Sequence, residues 1–487
     1  MDILPLAKFW SKVITMKTDK SASCRRWWLG ILAVAACALP AAAQVPAPEA
    51  GINVYQEQLR VEMDQQSPEA RQMAADAGGW INFAYFHYYD ASIHRDRSME
   101  EYDLRVWASA NVDDTHRFYV RGVTSYMDWA PHDNPFHSGD DFLNPTVERA
   151  WYEFDLAGLT RAQHKAPDND LKVKVGRDFM ELGTDLVLAT PLDMAKTTVQ
   201  LGNWEWMAFL GQPVPDAINL DQSPQVREHD DRCFWGTQVT YNGWSHHKPF
   251  VYFLNNQDNQ DHDTTFQKYN YTSRYVGAGS TGSLILPNLR YQTELAGEWG
   301  HTYSWGATDH TDQIEAWAYD AMLEYHFQAP THPKVMAEFL HASGDDDRAF
   351  SSTDTYGGNA RGTKDYAFNA FGFRDTGIAL APAVSNLDAY ITGASFFPLE
   401  KIKIFRKMEV GMRLYWYQKD AAGAISDPTT VDSGRYIGWE GDVFIDWRIT
   451  SDFTWTIRYG GFVPGSTYDR GFQDCRSFLF TGVTYSF

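Results

Sequence analysis

A chain of 487 residues with 63 acidic and 42 basic side chains carries a formal charge of −21, the wrong sign for a nucleic-acid partner. Mean hydropathy is −0.43, and no stretch beyond the N-terminal segment approaches the roughly 18 apolar residues of a membrane-spanning helix. Aromatic residues make up 15% of the chain, with 26 Tyr and 18 Trp, a share that suits the interfacial girdles of a transmembrane β-barrel.

The chain opens with a targeting signal. Arg25-Arg26 precede the apolar run Trp27–Leu39, and Pro40 with Ala41-Ala-Ala-Gln44 supplies an A-x-A cleavage site after Ala43. Residues 1–43 are expected to be a secretory signal peptide, with Met16 as an alternative start that gives an n-region of ordinary length. Val34-Ala-Ala-Cys37 loosely matches a lipoprotein box, but a barrel needs no lipid anchor, and cleavage after Ala43 is the preferred reading. Residues 44–79, opening on Val45-Pro-Ala-Pro48, read as a periplasmic lead-in, partly helical or disordered. After cleavage only Cys233 and Cys475 remain, which make neither a disulfide framework nor a CxxC metal pair.

From Trp80 the pattern is strand, turn, strand, loop, repeated to the end. The first aromatic strand is Trp80–Tyr89, and Tyr102–Asn111 and His116–Met127 form a hairpin across Val112-Asp-Asp-Thr115. Thr146–Leu156 and Leu171–Arg177 come next, then Thr198–Leu201 and Trp204–Leu210 across Gly202-Asn203. Cys233–Asn242 pairs with Phe250–Asn256, Thr272–Ile285 with Leu289–Tyr303, and Gln313–Phe327 with Lys334–His341. Leu387–Pro398 pairs with Lys407–Gln418, and Ile437–Ile449 with Phe453–Phe462. Ser477–Phe487 closes the series, with Leu479, Thr481, Val483, Tyr485 and Phe487 on one face and Gly482, Thr484 and Ser486 on the other. The series comes to about 18 strands.

Connections alternate between short and long, as short periplasmic turns and long outer loops do in an outer-membrane barrel. The long ones are Asp128–Pro145, Asp178–Lys196, Gln212–Arg232, Gln257–Tyr271, Ser304–Asp312, Ser343–Ser385, Lys419–Tyr436 and Val463–Arg476. Within the second, Leu188–Ala195 reads as a short helix. Side chains in the later strands alternate: Val410, Met412, Leu414 and Trp416 face one way, Gly411, Arg413 and Tyr415 the other. Charge inside and apolar outside is the reverse of a water-soluble barrel. The expected fold is all-β: an 18-stranded antiparallel transmembrane barrel over 80–487.

Several segments resemble the alginate-export family of outer-membrane porins. They are Ile457-Arg-Tyr-Gly-Gly-Phe-Val-Pro-Gly465 with the closing strand, Asp103-Leu-Arg-Val-Trp107, and Val147–Leu159 followed by Leu171-Lys-Val-Lys-Val-Gly-Arg177. Phe371-Gly-Phe-Arg-Asp375 ahead of Ser385-Asn-Leu387 resembles that family's long outer loop and the strand after it. The resemblance implies a monomeric barrel, surrounded by outer-membrane lipid and lipopolysaccharide, that passes a secreted polysaccharide through an arginine-lined lumen. It also brings periplasmic export components into view as partners.

Parity places Arg105, Arg121, Arg149, Lys172, Lys174, Arg413, Arg448 and Arg458 on the inner face, with the acids Asp103, Glu153, Asp442 and Asp446. Arg177 falls on the outward parity and joins the set only through its Gly-Arg motif. Such a cluster can form a ring-of-charge filter for an anion, or it can simply neutralise the polar wall. The acidic runs His229-Asp-Asp-Arg232, Asp258–Asp263 and Gly344-Asp-Asp-Asp347 read functionally as weak calcium sites, but they lack the spacing of a calcium loop and solvated loops are the preferred reading, so no metal and no cofactor is assigned. The strand histidines His87, His301, His326 and His341 show no partner in the sequence, and no Gly-x-Ser-x-Gly motif appears, so no catalytic residue is assigned.

Overall fold

Period-two alternation carries the chain back and forth as hydrogen-bonded neighbours, and a barrel is the closed solution that leaves no sheet edge. The computed structural model describes residues 73–487 except 135–140, 162–168, 215–220, 224–225, 227–230, 260–262, 285, 287, 349, 428 and 431–433. The expected signal peptide and most of the lead-in lie outside the described residues.

The first nine strands are β1 (Met73–Asp90), β2 (Arg95–Val112), β3 (His116–Trp129), β4 (Asp141–Asp155), β5 (Asn169–Leu182), β6 (Leu188–Leu201), β7 (Trp204–Pro213), β8 (Arg232–Tyr241) and β9 (His247–Asp258). The other nine are β10 (Tyr271–Ser283), β11 (Leu289–Tyr303), β12 (Thr311–His326), β13 (Lys334–Ala342), β14 (Leu387–Phe396), β15 (Met408–Gln418), β16 (Tyr436–Arg448), β17 (Phe453–Pro464) and β18 (Arg476–Ser486). Among the described residues the only helical pieces are α1 (Leu156–Arg161) and a single 3₁₀ turn, Arg470–Phe472. Each strand pairs antiparallel with its sequence neighbours, and β1 pairs with β18, closing an 18-strand ring. Gly79 and Phe487 exchange backbone hydrogen bonds of 3.0 and 2.9 Å at the closing seam.

All eighteen expected strands are present in order, with two corrections. β1 starts at Met73, inside the expected lead-in, and pairs with β2 from Met73↔Val112 onward. The added segment is Ala- and Gly-rich, so its strand propensity is weak and the ladder with β2 decides its conformation. Leu188–Ala195 is not a helix in a long loop but the first half of β6, paired with β5 from Leu182↔Leu188 down. Its connection to β5 is only the turn 183–187, with Gly183 and Asp185 in the left-handed region. Leu188, Leu192 and Met194 are buried on the inner face while Asp193 is exposed on the outer one, an inverted pattern that hides the strand from a parity rule.

The outer face carries the exposed apolar side chains, among them Ile81, Val106, Leu210, Val251, Trp317 and Trp416. Inside, the segment between β13 and β14, residues 343–386, folds into the barrel and buries Phe368 and Phe371 against Leu182, Leu188, Phe234 and Tyr275. Phe371 bridges to Leu188 of β6, while Asp375 reaches Arg413 of β15. Those two strands are nine places apart in the eighteen-strand ring, directly opposite each other.

Seam length varies. β11 and β12 share fifteen registered pairs, whereas β4 and β5 share six, from Ala150↔Arg177 to Asp155↔Lys172. Beyond that point residues 142–147 of β4 are exposed on both faces. Cys233 is a free thiol, so it makes no bridge to Cys475.

Candidate functional site

The loop 343–386 crosses the lumen, and its charged residues meet charges on the wall. The Arg374 Nη2 lies 2.7 Å from Asp320 Oδ2 on β12, and the guanidinium also reaches the Thr184 hydroxyl in the β5–β6 turn. Glu294 of β11, Glu338 of β13 and Asp185 lie close enough to act on the same charge. Burial pushes the Asp185 carboxyl up to about 8, with Glu181 adding to the effect and Arg374 opposing it.

Next along the loop, Asp375 pairs with Arg413 of β15 and accepts a 2.8 Å bond from the Tyr415 hydroxyl. Glu440 of β16 then accepts the backbone N–H groups of Ile378, Ala379 and Leu380 at 2.6, 2.6 and 2.8 Å. Gly377 makes this possible: its φ is +95°, and a Cβ there would stand 2.6 Å from Glu440 Oε1. Between loop and wall, Asp375, Ile378, Arg413, Tyr415, Asp442 and Arg458 enclose about 20 Å³, room for little more than one water. Here the loop is docked against that wall.

The inward cations of β2 to β5 form a second group on the other wall. Arg105 pairs with Asp103 at 2.6 Å and with Glu148 at 3.3 Å, and Arg121 reaches Glu148 at 2.8 Å. Arg149 lies 3.3 Å from Asp178; Lys174 lies 3.0 Å from Asp178 and 3.5 Å from Glu153; Lys172 lies 4.0 Å from Asp155. Trp107, Tyr119 and Trp151 stack across β2, β3 and β4, with ring centroids 6.2 and 5.5 Å apart, and the Lys174 ammonium sits 3.9 Å from the Trp151 ring. The structure thus brings Arg105, Arg121, Arg149, Lys172, Lys174, Asp103 and Glu153 together on one wall, and Arg413, Arg458, Asp442 and Asp446 on the other. Arg458 lies 3.1 Å from Asp446.

Two of the sequence candidates stand apart. Arg177 is on the outer face, where Nε and Nη2 each meet an Asp193 carboxylate oxygen at 2.8 Å and Nη1 caps the Val147 carbonyl. This outward position follows from its parity; the Gly-Arg motif does not turn it inward. Arg448 is exposed at the short-turn end, donating to the Ser451 carbonyl at 3.2 Å. The parity reading also passed over Arg374, Asp375, Asp320, Glu294, Glu338 and Glu440. The four wall acids lie on the inward parity of their strands, so alternation extended to β11–β13 and β16 would have found them. The loop pair had no such signal.

Of the acidic runs, 229–232 and 258–263 fall partly outside the described residues. In the third, Asp345 accepts the backbone N–H of Asp347 and Tyr366, and Asp346 that of Ala422. Three of the four strand histidines have partners that the sequence did not reveal; His326 Nε2 lies 2.5 Å from Glu324 Oε1. His87 Nδ1 lies 3.0 Å from Ser98 Oγ, and His341 Nδ1 lies 2.7 Å from Asp388 Oδ1. Among the described residues, the Ser–His pair has no carboxylate bonded to the imidazole. Near the His–Asp pair, the Ser343 hydroxyl is engaged with the Tyr366 carbonyl and the Trp317 N–H. Neither is a Ser–His–Asp relay.

The family description "Alginate export" matches residues 90–480. Among solved structures, the fold is similar to that of several Pseudomonas aeruginosa proteins. OccK5 (OpdH) superposes with a TM-score of 0.55 at 12% identity, covering 85% of this chain and 97% of its own. OccK3 (OpdO) gives 0.51 at 12%, covering 85% and 96%, and OccK2 (OpdF), solved in complex with glucuronate, gives 0.52 at 10%, covering 85% and 96%. No curated protein matches the chain.

Proposed function

This chain belongs to the alginate export family, and from that premise we propose that its barrel is a channel of the bacterial outer membrane that passes polar, anionic saccharide out of the periplasm. The observation that most supports this reading is the fastening of the luminal loop by guanidinium–carboxylate contacts, Arg413–Asp375 and Arg374–Asp320. A uronate carboxylate matches an Asp side chain in charge and geometry, so an incoming polyanion competes with Asp375 for Arg413. The exchange replaces one charge-assisted bond by another and lets the loop leave the wall. The row Trp107, Tyr119 and Trp151 beside Lys174 adds apolar surface next to cations on the opposite wall, a combination suited to sugar rings bearing acid groups.

The narrow space beside the docked loop favours a second reading, a channel for small anionic solutes that never carries a polymer. One fold relative was solved with glucuronate, a monomer of that class. Planar-bilayer conductance separates the readings. Wild type should be anion-selective, and Arg413→Glu with Arg458→Glu should lower or reverse that preference. Uronate oligomers should block the current in the export reading, whereas monomer alone should block in the solute reading. Selectivity unchanged by both substitutions would mean that these side chains only neutralise the wall.

A further inference from the structure

At the loop end of the barrel, three ligating side chains that are remote in sequence meet at the root of the luminal loop. His341 is the penultimate residue of β13, and Asp388 faces it across the β13–β14 ladder. Asp420 follows β15 by two residues and accepts the Gly344 N–H at 3.0 Å through Oδ2, with Arg435 4.0 Å from Oδ1. One ligating atom from each of His341, Asp388 and Asp420 lies within 4.8 Å of the other two. An independent observation concerns the imidazole. His341 is 9% exposed; Nδ1 lies 2.7 Å from Asp388, and Nε2 is buried without a hydrogen-bond partner. The Trp317 ring, 4.2 Å from it between centroids, fixes the plane of the imidazole.

We propose that His341, Asp388 and Asp420 form a binding site for a divalent transition-metal ion. One imidazole nitrogen with two carboxylate oxygens is a borderline donor set, suited to Zn²⁺, Co²⁺ or Mn²⁺ and not to Ca²⁺, which takes six to eight oxygens. Ligand atoms about 2.1 Å from a tetrahedral Zn²⁺ stand about 3.4 Å from one another, so a modest closure of the partly exposed Asp420, with a slight opening of the 2.7 Å Nδ1–Asp388 contact, completes the set and leaves a coordination position for water. The ion also places positive charge between the Asp388 and Asp420 carboxylates. Its place in the fold makes it a structural clamp, because His341 and Asp388 are the two stems of the luminal loop and Asp420 belongs to the next loop. A bound ion ties all three together and holds the stems of the constriction. The site stands on its own geometry, whatever the channel carries.

The test uses untagged full-length protein in detergent, stripped with EDTA and titrated with Co²⁺ and then with Zn²⁺. Wild type should show one saturable Co²⁺ visible spectrum with nitrogen–oxygen ligation, displaced by Zn²⁺ and not by Ca²⁺ at the same concentration. His341→Gln and Asp420→Asn should each weaken binding by about tenfold or more while heat-modifiable migration of the folded barrel persists. Should His341→Gln not fold, Asp420→Asn, whose side chain is one third exposed, carries the test. A wild type without a saturable spectrum, an unchanged spectrum in a folded variant, or displacement by Ca²⁺ as effective as by Zn²⁺ would each overturn the proposal.

Discussion

One carboxylate holds the far end of the luminal loop. Glu440 accepts three successive backbone N–H groups, an arrangement that binds an anion as a backbone nest does. Glu440→Ala leaves those donors buried and unpaired, at about 1–3 kcal/mol each. The span around 376–380 should then leave the wall, raising single-channel conductance and opening the loop to protease. Gly377→Ala should act in the same direction, because its Cβ meets both Glu440 and the Tyr417 hydroxyl at a backbone angle that only glycine adopts without strain. Conductance and protease resistance equal to wild type in both variants would show that the loop does not depend on this contact.

At the scale of the element, the loop should answer to pH. Burial pushes Asp185 up to about 8 and Asp354 up to about 7; Glu181 and Asp221 add to these shifts, and Arg374 and Arg348 oppose them. An undocked carboxyl titrates near 3.9, so the docked loop binds protons that the undocked loop releases. The resulting stabilisation is complete below about pH 4 and is lost as pH rises through the docked values. Conductance should therefore climb between pH 5 and pH 9, and Asp185→Asn should flatten the upper part of that rise. Closure on raising the pH would contradict the assignment. The same elements show what the sequence could and could not reveal. Arg413 and Arg458 were legible because each sits in a strand whose apolar side faces lipid, so parity alone points them inward. The first half of β6 was not, because its inward Leu188, Leu192 and Met194 are apolar, Leu188 lying against Phe371 of the luminal loop, and this reverses the polarity on which the rule depends. Parity places Glu440 inward beside Asp442, but its role was hidden, since its partners are backbone groups of a distant loop.

For the whole molecule, closing the ring satisfies every strand edge, but not equally. Six registered pairs hold β4 to β5 where β11 and β12 share fifteen. Past Ala150 the Arg177 side chain, bonded to the Val147 carbonyl, takes over from the ladder. Amide hydrogens of residues 142–149 should exchange well before those of β11 and β12 in the detergent-solubilised barrel. Uniform protection around the ring would show that this seam is as firm as the rest.

A thin-walled tube resists stretching along its hoops better than flattening of its cross-section. The luminal loop, fixed to β6 through Phe371 and to β15 through Asp375, is a tie across a diameter. While docked, it keeps the cross-section from becoming elliptical; once released, the same wall is softer. Lateral tension from the surrounding bilayer then acts on the very coordinate along which the loop docks. Cargo inside the tube and strain outside it become two loads on one brace.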